Sequence, residues 1–246
     1  MAEIHVFADH HIGDVNCNRK LIQQEIEQVQ KTDNAYAVLN GDILNWASKT
    51  SVSDSYAEQY SPMEEMQIAV DLFAPIKDKI IGITPGNHER RAYRAEGIDV
   101  TCLVAKELGL AERYSKESLL MFVRLGHDTG RKMHHRPICY MLYANHGSGG
   151  GRKEGAKAIR LADMASIVDA DVYLHAHTHL PMVMRQAFYR TSAGNSSVQK
   201  VDRLFVNTAA ALGYGGYGEL GEFKPNSMKN PVLYLNGREK LAEAIL

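Results

Sequence analysis

The sequence predicts an α/β fold built on parallel strands, and two observations predict it. Short apolar runs alternate with amphipathic segments along much of the chain, the pattern that makes β-α-β units. Those runs repeatedly end in turns that carry Asp, Asn or His: Asp9-His10-His11, Gly41-Asp42, Gly86-Asn87-His88-Glu89, Asn145-His146-Gly147 and His175-Ala176-His177-Thr178-His179. Parallel strands end at one sheet edge, where α/β proteins place their ligands, so these turns are expected to converge.

Composition narrows the reading. The chain has 246 residues, 45% hydrophobic and 23% charged, which suits one domain over 1–246 with a substantial core. Segments of about 114–137 and 208–230 are expected as embellishments. The formal net charge of −1 supplies no global field for nucleic acid or an anionic membrane, although local basic segments remain. The first residues lack a charged region followed by a long apolar run, and no apolar stretch approaches the ~20 residues needed to cross a bilayer. The expectation is a cytoplasmic protein that does not engage a membrane. Cys17, Cys102 and Cys139 are odd in number and form no CxxC pair, so buried free thiols are expected rather than disulfides or a zinc ribbon.

Taken in order, Glu3 to Ala8 reads as a buried strand that delivers Asp9 and His11 past its end. Ile22, Ile26 and Val29 recur at helical spacing, predicting an amphipathic helix over 18–32. Ala35 to Asn40 is a second strand and completes a β-α-β unit. Residues 47–60 are polar and read as a loop. Ser61-Pro62-Met63-Glu64 has the form of a capping box with proline in the first turn, and Met66, Ala69, Val70 and Phe73 mark the buried face of the helix it starts. Lys79 to Thr84 is the third strand. Residues 90–113 read as one helix with a basic start at Arg90, Arg91 and Arg94. Leu119–Leu125 and Ile138–Ala144 flank a polar insert as two strands. Leu161, Met164, Ala165 and Val168 mark a further helix, and Asp171 to His175 a strand. Short strand-like runs follow at Val183–Tyr189, Leu204–Asn207 and Val232–Leu235, with a Gly/Tyr-rich loop at 213–221.

The chemistry follows from residue type. Residues two apart in a strand point the same way, so His177 and His179 are expected to project together. Asp9, His11, Asp42, Asn87, His146, His177 and His179 are seven candidate ligands, too many for one tetrahedral ion. They suit two divalent ions ~3.5–4 Å apart that share a carboxylate. Oxygen and imidazole donors without cysteine favour Mn²⁺, Fe²⁺ or Zn²⁺. Other residues have plainer readings. His10 and His175 are expected to pack, His5 and His127 to be structural, and His134 and His135 to sit in a solvated loop. Gly147 to Gly151 is either a turn or a cradle of amides for a phosphate. Arg152, Lys153, Lys157 and Arg160 are by default a solvated helix face, with contact to a phosphate backbone as the functional reading. Tyr214 and Tyr217 either stack on a base or belong to a mobile loop.

These motifs, in this order, resemble those of the calcineurin-like metallophosphoesterases: D-x-H at Asp9–His11, G-D-x-x-N at Gly41–Asn45, G-N-H-E at Gly86–Glu89, a His before Gly at His146, and H-x-H at His177–His179. Asn45 stands where many members have Asp, and Ala176 where Gly is usual; neither change removes a ligand. The resemblance implies a four-layered α/β/β/α sandwich with two mixed sheets. It implies Asp9, His11 and His179 on one metal, Asn87, His146 and His177 on a second, and Asp42 bridging. It implies His88 as the catalytic acid or phosphate contact; Asn87 and His88, with Arg152 from the basic run, are the expected substrate contacts. Two divalent ions, Mn²⁺ first with Fe²⁺ or Zn²⁺ as alternatives, would serve hydrolysis of a P–O bond by metal-bound hydroxide. Gly41-Asp42-Ile43-Leu44-Asn45-Trp46 lacks the Asp-Arg-Gly continuation of the Ser/Thr protein phosphatases. The compact chain is more similar to phage and bacterial members. The expected substrate is a phosphodiester, in a nucleic acid or nucleotide; a phosphomonoesterase and a silent metal-binding scaffold are the alternatives.

Overall fold

The structure is a computed structural model that describes residues 1–48, 55–126, 137–149, 151, 153–192 and 194–246. His127, His134, His135 and Arg152 fall outside those residues, as does the side chain of Tyr217.

The chain runs β1 (Ala2–Phe7), α1 (Arg19–Lys31), β2 (Ala35–Asn40), α2 (Pro62–Phe73), β3 (Ile80–Thr84), α3 (Glu89–Glu96), α4 (Val100–Glu107), β4 (Leu119–Leu125), β5 (Ile138–Asn145), α5 (Glu154–Asp163), β6 (Val172–His175), β7 (Met182–Ser192), β8 (Ser197–Asn207), α6 (Gly216–Leu220), β9 (Val232–Leu235) and β10 (Ala242–Ile245). Two five-stranded sheets result, ordered β10-β9-β1-β2-β3 and β4-β5-β6-β8-β7. Both are mixed. In the first, β1, β2 and β3 run parallel and β9 joins β1 antiparallel; in the second, β5, β6 and β8 run parallel between antiparallel β4 and β7.

Strand alternation explains the layers. Ile4, Val6, Val38 and Leu233 of the first sheet meet Leu142, Leu174, Leu204 and Val206 of the second in one core between the sheets. Phe7, Leu39 and Ile83 face the other way, against Ile22 and Ile26 of α1, Phe73 of α2 and Val104 of α4. Tyr143, Tyr173 and Phe205 form the outer face of the second sheet, where Leu161 of α5 covers them. A helix layer, two sheets and a second helix layer make the α/β/β/α sandwich. No helix among the described residues is long and apolar enough to cross a membrane.

The helix starts follow local chemistry. Asn18 caps α1 by accepting from the Leu21 amide, and Ser61 and Glu64 form the reciprocal capping box of α2. The single helix expected over 90–113 is instead α3 and α4. Gly97 ends α3 in a left-handed conformation (φ 73°), and Asp99 then caps α4 through the Cys102 amide. The strand-like runs at 183–189 and 204–207 are the inner ends of a much longer hairpin, β7–β8, whose remaining residues are largely exposed and carry no apolar pattern. The predicted helix through Val168 ends earlier, at Asp163, and continues as a 3₁₀ turn over Met164–Ser166.

Candidate metal centre

Five strands end at one rim, and each delivers part of the candidate set. β1 leads to Asp9 and His11, β2 to Asp42, β3 to Asn87, β5 to His146 and β6 to His177 and His179. The two sheets are tied where these strands end: His146 Nδ1 donates to the Asn40 carbonyl at 2.8 Å, Asn40 Nδ2 donates to the Asn145 carbonyl at 3.3 Å, and the His177 amide donates to Asp9 Oδ2 at 2.9 Å.

The turns need unusual backbone. Asp9, His11, Asp42, His177 and His179 all have positive φ, between 49° and 64°. Aspartate and histidine tolerate this region better than most side chains, yet it costs of order 1 kcal/mol or more each. The expectation that strand pleat aligns His177 and His179 is therefore corrected. Both lie beyond the end of β6, and the left-handed turn sends them to different partners. Glycine permits the close packing beneath. A Cβ on Gly86 would fall 2.0 Å from Asp42 Oδ1, and one on Gly41 2.4 Å from the Gly86 nitrogen.

The donor atoms form two groups. Those of Asp9, His11 and His179 lie within 4.8 Å of one another, and so do those of Asp42, His146 and His177; His11, Asp42 and His88 form an overlapping third. Asp9 Oδ1 is 3.3 Å from His179 Nε2 and 3.9 Å from both His11 Nε2 and His146 Nε2. His146 Nε2 is 3.1 Å from Asp42 Oδ2 without the alignment of a hydrogen bond. Asp9, His11, Asp42 and His146 are buried and form a floor, while Asn87, His88, His177 and His179 make a partly exposed rim.

The set fits divalent metal on three grounds. Asp9 Oδ1, Asn87 Oδ1 and His146 Nε2 are buried with no hydrogen-bond partner, and a buried orphan polar atom is costly unless something coordinates it. The ring orientations leave Nε2 for a ligand: His11 Nδ1 donates to Asn45 Oδ1 at 3.3 Å and His146 Nδ1 to the Asn40 carbonyl. The electrostatics also ask for a cation. Burial alone would push both carboxyls up, but the imidazoles of His179 and His146 hold Asp9 down at about 2, and those of His146 and His88 hold Asp42 well below the carboxylate range. Burial opposes a charge on His146, yet Asp42 and Asp9 drive it up to about 10. That proton stands where a metal ion would balance the same carboxylates.

Several roles were not legible in the motifs. Glu89 is buried and its carboxylate accepts from the amides of Asp42, Leu44 and Gly86, which staples the β2 and β3 turns together. Asn45 does more than stand in for Asp. Its Nδ2 donates to Glu58 Oε1 at 2.5 Å, and its carbonyl accepts from His88 Nδ1 at 2.7 Å. Glu58 in turn hydrogen-bonds Glu65, which burial raises to about 8. Arg91 places Nη2 3.0 Å from His88 Nε2. It lies three residues after His88, one helical turn on, and that spacing was the signal that could have found it. Among the residues with plainer readings, His10 is fully buried and stacks on Phe73, and His175 donates to Asn207 Oδ1 at 2.7 Å, so both pack as expected. Lys157 donates to the Thr178 carbonyl at 2.8 Å and so braces the turn between His177 and His179.

No curated protein matches the sequence. Among solved structures, a conserved uncharacterized protein of Streptococcus pneumoniae, described as a predicted phosphoesterase, is 15% identical over 100% of this chain and 98% of its own, with a TM-score of 0.38. Vps29 of Entamoeba histolytica in complex with zinc is 11% identical over 99% of this chain and 98% of its own, with a TM-score of 0.43. The family model for calcineurin-like phosphoesterases matches residues 3–181. That span holds every one of the seven candidate ligands and well over half of the sequence, and the chain belongs to the calcineurin-like phosphoesterase family.

Proposed function

We propose that this protein hydrolyses phosphodiesters at a two-metal centre, with Mn²⁺ as the first choice of ion and a cytoplasmic site of action. The observation that carries the reading is the convergence of six of the seven candidate donors into two groups around buried, partnerless Asp9 Oδ1 and His146 Nε2, with Asn87 Oδ1 likewise buried and partnerless. Asp9, His11 and His179 would hold one ion, Asn87, His146 and His177 the other, and Asp42 would serve both. When bound, such a pair supplies Lewis acidity to the phosphoryl oxygens and makes a hydroxide nucleophile available near neutral pH.

The chain's own groups prepare the rest. The carbonyls of Asn40 and Asn45 and the Asn45 side chain fix the tautomers of His146, His88 and His11, so that each presents Nε2 inward. His88 Nε2 lies 3.9 Å from Asp42 Oδ2, which puts it beside the reacting phosphate. Burial first, with the Arg91 guanidinium, lowers the His88 pKa in the free protein; with an anionic phosphate bound the ring takes up a proton at Nε2 and hands it to the departing oxygen. A diester is favoured because the rim is partly exposed and α3, which starts beside it, carries Arg90, Arg91 and Arg94 along its length. Such a track suits a substrate that carries further phosphate or nucleoside. Three free cysteines are the support for a reducing compartment.

The test compares Mn²⁺-reconstituted protein on bis-p-nitrophenyl phosphate and p-nitrophenyl phosphate, with Asp42→Ala as control. Faster metal-dependent diester cleavage, lost in the variant, is the expected result. Faster monoester cleavage would replace the diester reading with a phosphatase, and no cleavage of either would leave the scaffold.

A further inference from the structure

Arg91 sits in the first turn of α3, half-buried, with its guanidinium against the wall of the metal centre. Its Nη2 is 3.0 Å from His88 Nε2 and its Nη1 3.5 Å from the Asn45 carbonyl. His88 Nδ1 donates to that same carbonyl, so in the free protein His88 Nε2 is the acceptor and the guanidinium its donor; a phosphate oxygen that took that donor would release Nε2 to carry the proton it gives the departing oxygen. Burial lowers the Arg91 pKa, and the carboxylates of Asp42, Glu89 and Glu58 offset only part of that cost. Arginine is well suited to a planar anionic oxygen cluster because its fork offers several N–H groups in fixed directions.

The geometry has a direct corollary. A ligand oxygen that reaches His88 Nε2 enters the space the guanidinium already addresses, since the two nitrogens are 3.0 Å apart. We propose that Arg91 is a substrate-binding residue that grips a non-bridging phosphate oxygen alongside His88. The proposal rests on the phosphoesterase reading above. It adds a charged contact on the substrate from α3, so substrate is held from that side as well as from the floor of the site.

The experiment titrates inorganic phosphate into Mn²⁺-loaded wild type, Arg91→Lys and Arg91→Gln by calorimetry, alongside metal content and the split between KM and kcat on the better nitrophenyl ester. Loss of a charge-assisted hydrogen bond predicts about tenfold or more weaker phosphate binding in Arg91→Gln, a matching rise in KM, and unchanged metal content, with partial recovery in Arg91→Lys. Unchanged phosphate affinity with a fall in kcat alone would mean that Arg91 only orients His88, and would overturn the proposal. Failure of the loaded wild type to bind phosphate would overturn it too. Arg91-dependent phosphate binding without hydrolysis of either ester would sink the phosphoesterase reading and leave the phosphate grip standing.

Discussion

Asn45 sets two histidines at once: its side chain receives the Nδ1 proton of His11, and its backbone carbonyl receives that of His88. The amide nitrogen is spent on Glu58, which shares a hydrogen bond with Glu65. An aspartate here would put a third carboxylate against that pair. Asn45→Asp is therefore expected to lose about 10–100-fold in metal affinity or turnover, the usual cost of disturbing the partner of a ligating histidine. Adding Glu58→Gln should recover most of it, because the new amide can donate where Asn45 did. A double-mutant cycle on metal affinity checks this, and no recovery would show that Glu58 is a bystander. The ligands themselves were readable from sequence because Asp, Asn and His after apolar runs are rare enough to stand out. The roles of Asn45, Glu65 and Arg91 were not, since a polar residue in a turn or on a helix has many ordinary uses.

Elements were legible where burial gave them a period. β2, α2, β4 and β9 occupy the expected residues to within one position because each has a fully apolar face or a side-chain cap. β10 escaped notice because Ala242-Glu243-Ala244-Ile245 is a short edge strand with small inward residues, and the outer half of β7–β8 because solvent bounds both faces. α1 illustrates a cost that periodicity hides. Its Glu25 lies against the loop before β9, where Asn230 Nδ2 approaches both carboxylate oxygens at 3.4 Å. Burial raises Glu25 from 4.5 to about 7, with the Asn230 contact pulling the other way. Between those values the folded chain holds a proton that the unfolded chain has released, so this group's contribution to stability falls as pH rises through the window and the penalty is complete above it. Glu25→Gln should therefore stabilise the protein on the order of 1–3 kcal/mol at pH 8 and hardly at all at pH 4. Thermal melts at the two pH values decide it; an equal shift at both would mean that the charge is not what costs.

At the scale of the whole molecule, two mixed sheets face each other and their strand ends share one rim. The parallel β-α-β start was visible in sequence, but the pairing of the sheets was implied by family resemblance alone, because no local pattern says which apolar faces meet. The ligands divide between the layers: Asp9, His11, Asp42 and Asn87 follow strands of the first sheet, and His146, His177 and His179 follow strands of the second. Ions that bind only the folded state at a hundred times their dissociation constant add about 2.7 kcal/mol. For a chain of this size that predicts a melting temperature roughly 5–10 °C higher in Mn²⁺ than in a chelator. A melt indifferent to the chelator would count against the two-ion reading.

The hydrogen bonds of Asn40 and His146 across the sheet ends have a mechanical meaning. Away from the site the sheets are already pinned by the Tyr140 hydroxyl against the carbonyls of Asn236, Glu239 and Leu241 and by Arg185 on the Ala242 carbonyl, so these bonds are the rivets that close the sandwich at the site. Metal would fasten the same end with far stiffer bonds. Metal supply would then govern lifetime as well as turnover: a starved molecule would be idle and would also open at that end sooner, offering proteases the parted ends of β2 and β5 first.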